Sequence, residues 1–149
     1  MMKVCALDLM PIICSALKRG QCVRMTVTGG SMRPFMQGGG IVELEPIGSK
    51  PLVGDVLLVR TGSGRDRYVL HRLVRVEGEN LFIRGDAQER CEGPFARPEV
   101  LGRVVMYRLN GRIRRFDSGL WHLLGRAWIA CFPLSVWLLR IAVTIRGAQ

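Results

Sequence analysis

Apolar and polar positions alternate with a period of two over Val23-Arg24-Met25-Thr26-Val27-Thr28, the mark of a half-buried strand. From there to Phe116 the chain continues as short apolar runs broken by turn chemistry, which predicts an all-β domain. The expected strands are Val23–Thr28, Ile41–Glu45, Asp55–Arg60, Arg67–Val76, Asn80–Arg84, Arg103–Leu109 and Arg112–Phe116. The breaks between them are Gly38-Gly39-Gly40, Pro46-Ile47-Gly48, Thr61-Gly62-Ser63-Gly64, Glu77-Gly78-Glu79 and the proline-bearing segment Cys91–Pro98. Asn110-Gly111 is the strongest hairpin signal, since both residue types tolerate positive φ. There is no internal repeat and no βαβ rhythm, which disfavours a nucleotide-binding α/β fold.

Two flanking stretches have a different rhythm. Leu7 to Leu17 reads as a helix with Pro11 near its first turn and Gly20 as its stop, so residues 1–21 are expected as a short N-terminal helix packed on the domain. This run is too short to cross a bilayer and lacks the basic start and cleavage pattern of an export signal. At the other end, residues 119–149 form a hydrophobic helical tail. Its uncharged run Ala127–Leu139 carries Pro133, and Arg140 interrupts the apolar continuation. As a membrane span it is marginal. Trp121, Trp128 and Trp137 with Arg126, Arg140 and Arg146 suit an interfacial helix at a membrane surface, and packing on the domain is the competing expectation. Membrane association through the tail, with the rest cytoplasmic, is the resulting localisation.

Composition narrows the class. At 149 residues and 48% hydrophobic, the chain is one ordinary domain with a real core. The net charge of +10 is almost all arginine, with only Lys3, Lys18 and Lys50 as lysines. The arginines are spread along the chain, without an aromatic stacking motif or a helix-turn-helix, so no nucleic-acid partner is expected. The five cysteines form no C-x-x-C pair and the two histidines lie far apart. No metal or other cofactor is expected, and the thiols read as buried and reduced.

The candidate chemistry sits in three places. Gly29-Gly30-Ser31-Met32-Arg33-Pro34 follows a strand end. Two glycines there can turn the chain sharply and leave Ser31 projecting beside exposed backbone amides, the parts of an acyl-transfer site. Alone, the loop is more simply an ordinary Gly-Ser turn. A serine needs a base, and His71 lies within Arg67–Val76 on a strand face shared with Val69 and Leu73, where partial desolvation favours the neutral imidazole. His122, in the apolar tail without polar company, reads as structural. The expected third group is Asp86, at the end of the next strand, where it would orient His71.

Four boxes in this order, Gly29-Gly30-Ser31-Met32-Arg33-Pro34, Val53-Gly54-Asp55-Val56, Leu70-His71-Arg72-Leu73 and Ile83-Arg84-Gly85-Asp86-Ala87, resemble those of the signal peptidase I superfamily, which includes the catalytic domains of the self-cleaving SOS repressors. The resemblance covers roughly Val23 to Val105. It implies a coiled β-sheet or barrel domain over residues 22–118, with Ser31 as nucleophile. His71 falls where the endoplasmic-reticulum and archaeal subtype carries its histidine base, and Asp86 falls at that subtype's third position. The oxyanion loop would be Gly29, Gly30 and Ser31, with Met32 and Pro34 near the substrate. Two departures stand out: Gly40 replaces a usual aspartate, and Gly29 replaces a usual hydroxyl donor. The N-terminal membrane anchor of typical signal peptidases is not seen.

These readings converge on a serine endopeptidase acting on a peptide or protein with small residues near the cut, as in signal-peptide or leader processing. The alternative is a non-catalytic module of the same fold that holds a peptide or partner.

Overall fold

The computed structural model describes residues 6–62 and 67–132. The expectations for Ser63-Gly64, Cys5 and the tail from Pro133 onward, including Trp137, Arg140 and Arg146, lie outside them. The chain is mainly β, and the described residues form eight strands in a curled half-barrel sheet and two α-helices. In chain order these are α1 (Ala6–Lys18), β1 (Val23–Thr26), β2 (Ile41–Glu45), β3 (Val56–Thr61), β4 (Arg67–Glu77), β5 (Asn80–Arg84), β6 (Glu92–Phe95), β7 (Val100–Leu109), β8 (Arg112–Arg115) and α2 (Gly119–Ala130).

The sheet runs β1-β2-β7-β3-β4-β5-β6, and β8 pairs with the far end of β7. All pairings are antiparallel. The Asn110-Gly111 hairpin forms as expected, with φ of 49° and 76°. All seven expected strands are present. The strand that sequence reading missed is β6, inside the segment taken as a proline-bearing break: Leu81 of β5 pairs with Phe95 of β6, and Ile83 with Glu92. A Gly-Pro pair at its centre is poor strand chemistry, tolerated because β6 is an edge strand whose outer side needs no ladder.

One core lies beneath α1 and α2, built from Met10, Ile13 and Leu17 of α1 with Met32, Phe35 and Met36 of the serine loop, Val42, Leu44, Leu58, Val104 and Tyr107. The i, i+3, i+7 spacing of the α1 residues makes the buried stripe that holds the helix on the sheet. Gly20, with φ of 82°, ends α1, its amide donating to Leu17 O while Gln21 donates to Ala16 O. Pro11 sits past the first turn rather than in it. A second cluster, Leu57, Val59, Leu73, Leu81, Ile83 and Val100, fills the other face of the sheet.

Among the described residues no helix is long and apolar enough to cross a membrane. The two described tail tryptophans turn inward instead of lying at an interface. Trp121 stacks on Phe116, and Trp128 meets Phe35 edge-on with ring centroids 5.6 Å apart. No disulfide joins the described thiols, and they are not buried, which corrects that expectation: Cys22, Cys91 and Cys131 are exposed and Cys14 is half-buried.

Candidate functional site

The four sequence boxes are joined by one buried side chain, Arg72 of β4, which has no solvent exposure. Its Nε and Nη2 donate to the two carboxylate oxygens of Asp86, each at 2.7 Å, and its Nη1 donates to Gly54 O at 2.8 Å. Its guanidinium lies 4.7 Å from the centroid of the Phe35 ring, at the end of the serine turn. Both Asp86 oxygens are thereby taken by a bidentate charged pair, the strongest common geometry for a carboxylate. Burial raises the Asp86 carboxyl above its usual range, and the Arg72 bonds oppose that shift.

This arrangement corrects the role expected of Asp86. His71 and Arg72 are consecutive on a strand and point to opposite faces. Asp86 is on the Arg72 side. The carboxylate that reaches His71 is Glu92 of β6, with Oε1 3.2 Å from Nδ1. At that distance the two can form an ion pair, although the angle is not that of a hydrogen bond. Burial pushes the His71 imidazole below its ordinary value, Glu92 pulls it back up, and Arg67 pushes it further down. The net effect is a neutral ring at pH 7, the form able to accept a proton. Glu92 was hidden from sequence reading because it lies in the overlooked strand. The usable signal was the Ile83–Glu92 register, which a β5–β6 hairpin would have placed beside β4.

Gly85 and Ala87 set the position of Ser31. Ala87 N donates to Ser31 O at 2.9 Å, and a Cβ on Gly85 would sit 2.7 Å from that same oxygen. Any side chain at Gly85 would therefore push the serine loop off its dock. The loop itself begins with Gly29 at φ of 83° and continues as a tight turn in which Met36 N donates to Met32 O at 2.9 Å. Arg114 of β8 donates to Phe35 O and Pro34 O, closing the turn from outside.

Ser31 and His71 line one cavity of about 260 Å³, together with Gly29, Met32, Thr28 and residues Tyr68–Leu70. Of the two residues expected near the substrate, Met32 lines this cavity, whereas Pro34, like Gly30, does not. No hydrogen bond joins Ser31 to His71 among the described residues. Two strand edges border the space. Among the described residues β1 pairs with β2 alone, and the β4–β5 ladder begins at Arg72.

Gly40 and Gly29 have distinct physical settings. At Gly40 a Cβ would come within 2.2 Å of the Tyr107 ring, whose hydroxyl binds both Gln37 N and Gln37 O. Tyr107 therefore ties down this turn, and no aspartate would fit. At Gly29 a Cβ would meet no neighbour, but the φ of 83° is one that favours glycine over a hydroxyl-bearing residue.

His122 does have polar company, contrary to expectation: its Nε2 is 3.5 Å from Asp55 Oδ1, on the turn that opens β3. Among the described residues no group of three or more His, Cys, Asp or Glu is placed to hold a metal ion. No protein-family model, curated protein or solved structure matches the chain.

Proposed function

We propose that this chain is a serine endopeptidase with a signal-peptidase-like catalytic domain. The observation that carries the reading is the shared cavity: a serine on a glycine turn and a buried histidine held neutral open onto one space. Ser31 Oγ attacks the peptide carbonyl, His71 takes its proton and returns it to the leaving amine, and Glu92 steadies the imidazolium that forms between those steps. The amides at the start of the serine turn supply the oxyanion donors, with no side-chain hydroxyl at Gly29 to add a second. The Ser–His hydrogen bond forms when substrate closes the site, as catalytic hydrogen bonds often do.

An extended substrate can add main-chain hydrogen bonds along the outer edge of β1, whose Met25 lines the cavity. The outward residues Leu120 and Leu123 of α2, each 64% exposed, support contact of that side of the domain with a membrane surface.

The test is labelling by a fluorophosphonate, in which Ser31 Oγ displaces fluoride from phosphorus, read by intact mass and peptide mapping. Wild type should gain one adduct on Ser31, and Ser31→Ala and His71→Gln should gain none. Absence of a Ser31 adduct in the wild type, together with binding of an unmodified peptide, would replace this reading with that of a peptide-holding module.

A further inference from the structure

A second cavity, of about 390 Å³, lies between the end of α1 and strands β3, β4 and β7. Lys18 and Arg19 at the end of α1 and Arg60 of β3 line it beside Ser15 and Tyr68, and no carboxylate is among its described lining residues. Two cations in the last turn of a helix are common, because they answer its dipole. Arg60 has no such reason to be there. It is the one exposed residue of a strand whose other positions are all buried. Among the described residues none of the three cations forms an ion pair, and the side-chain bond that Arg19 makes is to Gln21 Oε1, at 3.5 Å. Like charges round one concave space focus its potential, and an anion placed among them relieves their repulsion. This cavity adjoins the cleft of Ser31 and His71, because Tyr68 lines both. Arg60 stands opposite Tyr68 in the β3–β4 ladder, which puts the two side chains on one face of the sheet. Tyr68 precedes His71 on the same strand, about 10 Å away along an extended chain.

Resting on the peptidase reading, we infer that this second cavity is a subsite for an acidic side chain of the substrate, carried about three residues from the scissile bond. An Asp or Glu carboxylate there meets Arg60, whose planar fork matches it, while Lys18 and Arg19 add to the attracting field. The positions next to the cut stay with the Ser31 cleft, so a preference for small residues there is untouched. The substrate class is a polypeptide with small residues at the cut and an acid a short distance along the chain. All three cations are exposed, so the selectivity is modest and sensitive to salt. The N-terminal helix thereby belongs to the substrate site as well as to the core.

The test profiles cleavage of a peptide library digested from a whole proteome, with cut sites read by mass spectrometry. Asp and Glu should be enriched about two to four residues from the cut, and matched peptides with Glu or Gln there should differ in kcat/KM by about tenfold at low salt. That ratio should fall toward unity in about 1 M NaCl, where the screening length is about 3 Å. Arg60→Glu should turn the preference toward Lys, and the double variant Lys18→Gln, Arg19→Gln should cut the Glu-to-Gln ratio to about twofold. Cleavage without acidic enrichment at those positions, or a ratio that Arg60→Glu leaves unchanged, would overturn the subsite while leaving the peptidase standing. If wild type cleaves nothing, fluorescein-labelled Ala-rich peptides carrying one Glu or one Gln are titrated against Ser31→Ala. Tighter binding of the Glu peptide, lost when Arg60→Glu is added, still supports the subsite, and equal binding overturns it. Phosphatidylglycerol vesicles separate the other source of an anion. Vesicle binding that needs Arg60, with no preference for Glu in peptides, would assign the cavity to a lipid phosphate and overturn the inference.

Discussion

His71 and Arg72 are neighbours on β4, both almost without exposure, and their surroundings are opposite in kind. Arg72 is saturated: two bonds to Asp86, one to Gly54 O and a ring beneath it. His71 is underserved: its buried Nδ1 has a carboxylate nearby but no aligned hydrogen bond, and burial has weakened its hold on a proton. A saturated group holds a structure in one arrangement, whereas a group with unused bonding capacity can exchange a proton with a substrate. The strand alternation that separates the two faces lets one short segment serve both purposes.

The largest effects separate them outright. Arg72→Met leaves Asp86 buried and unpaired, which costs about 3–5 kcal/mol. With about 2–4 °C per kcal/mol for a domain of this size, Tm should fall by roughly 6–20 °C. His71→Gln keeps the volume and should hold Tm within a few degrees, while peptidase activity falls on the order of 10³-fold or more. Thermal unfolding and cleavage assays on the same two preparations check both. If Arg72→Met unfolds no earlier than His71→Gln, the division of labour along β4 does not exist.

Glu92 sharpens the contrast with Asp86 through pH. The base works when neutral, so wild-type activity is full above the His71 pKa and is lost as pH falls through it. Burial lowers that pKa, placing the acid limb below pH 6.5. Glu92 opposes the lowering, so Glu92→Gln should carry the limb to still lower pH and reduce the plateau, by about 10–100-fold if it shares the usual worth of acid–base assistance. Asp86→Asn should lower Tm and leave the limb where it was. A limb that moves with Asp86 and not with Glu92 would restore the expected Asp86 role.

Why Ser31 and His71, which line one cavity, were legible in the sequence while Glu92 beside His71 was not follows from these same residues. The glycine turn before Ser31 and the alternation around His71 are local, and local chemistry is visible along the chain. All seven expected strands formed for that reason. Glu92 depends on an edge strand whose Gly-Pro centre conceals it, and on a register set by its partner β5. The Gly85-Asp86 box meets different partners from the expected one. Its aspartate serves Arg72, and its glycine serves the serine loop. Box order told which segments meet, but only the alternation of His71 and Arg72 across β4 decides which face each carboxylate meets.

Gly85→Ala tests that second use. The added methyl would lie 2.7 Å from Ser31 O, against backbone that cannot swing away like a side-chain tip. Overpacking of this kind costs about 1–3 kcal/mol. The displaced oxygen carries Ser31 with it, and a shift near 1 Å can cost about 100-fold in rate. The expected outcome is a loss of kcat much larger than the modest loss of Tm implies, with His71 pH behaviour unchanged. A variant equally active and equally stable would show that the loop does not dock through Gly85.

The smallest effect concerns the far side of the Arg72 network, where α2 crosses it. Gly125 is the buried point of that helix, and a Cβ there would be 2.2 Å from Arg72 Nη1. Two terms of opposite sign compete in Gly125→Ala. Alanine favours an exposed helix interior over glycine by about 1 kcal/mol. The clash with a guanidinium that three hydrogen bonds hold in place costs about 1–3 kcal/mol, because Arg72 has nowhere to turn. The clash should win narrowly, lowering Tm by a few degrees and lifting α2 from the sheet. Trp128, whose Nε1 donates to Asp86 O at 2.9 Å, would then lose that bond and gain water. A red shift of tryptophan emission with His71-dependent activity largely kept is the expected signature. An unshifted spectrum with a raised Tm would mean that helix propensity outweighs the contact and that α2 does not lean on Arg72.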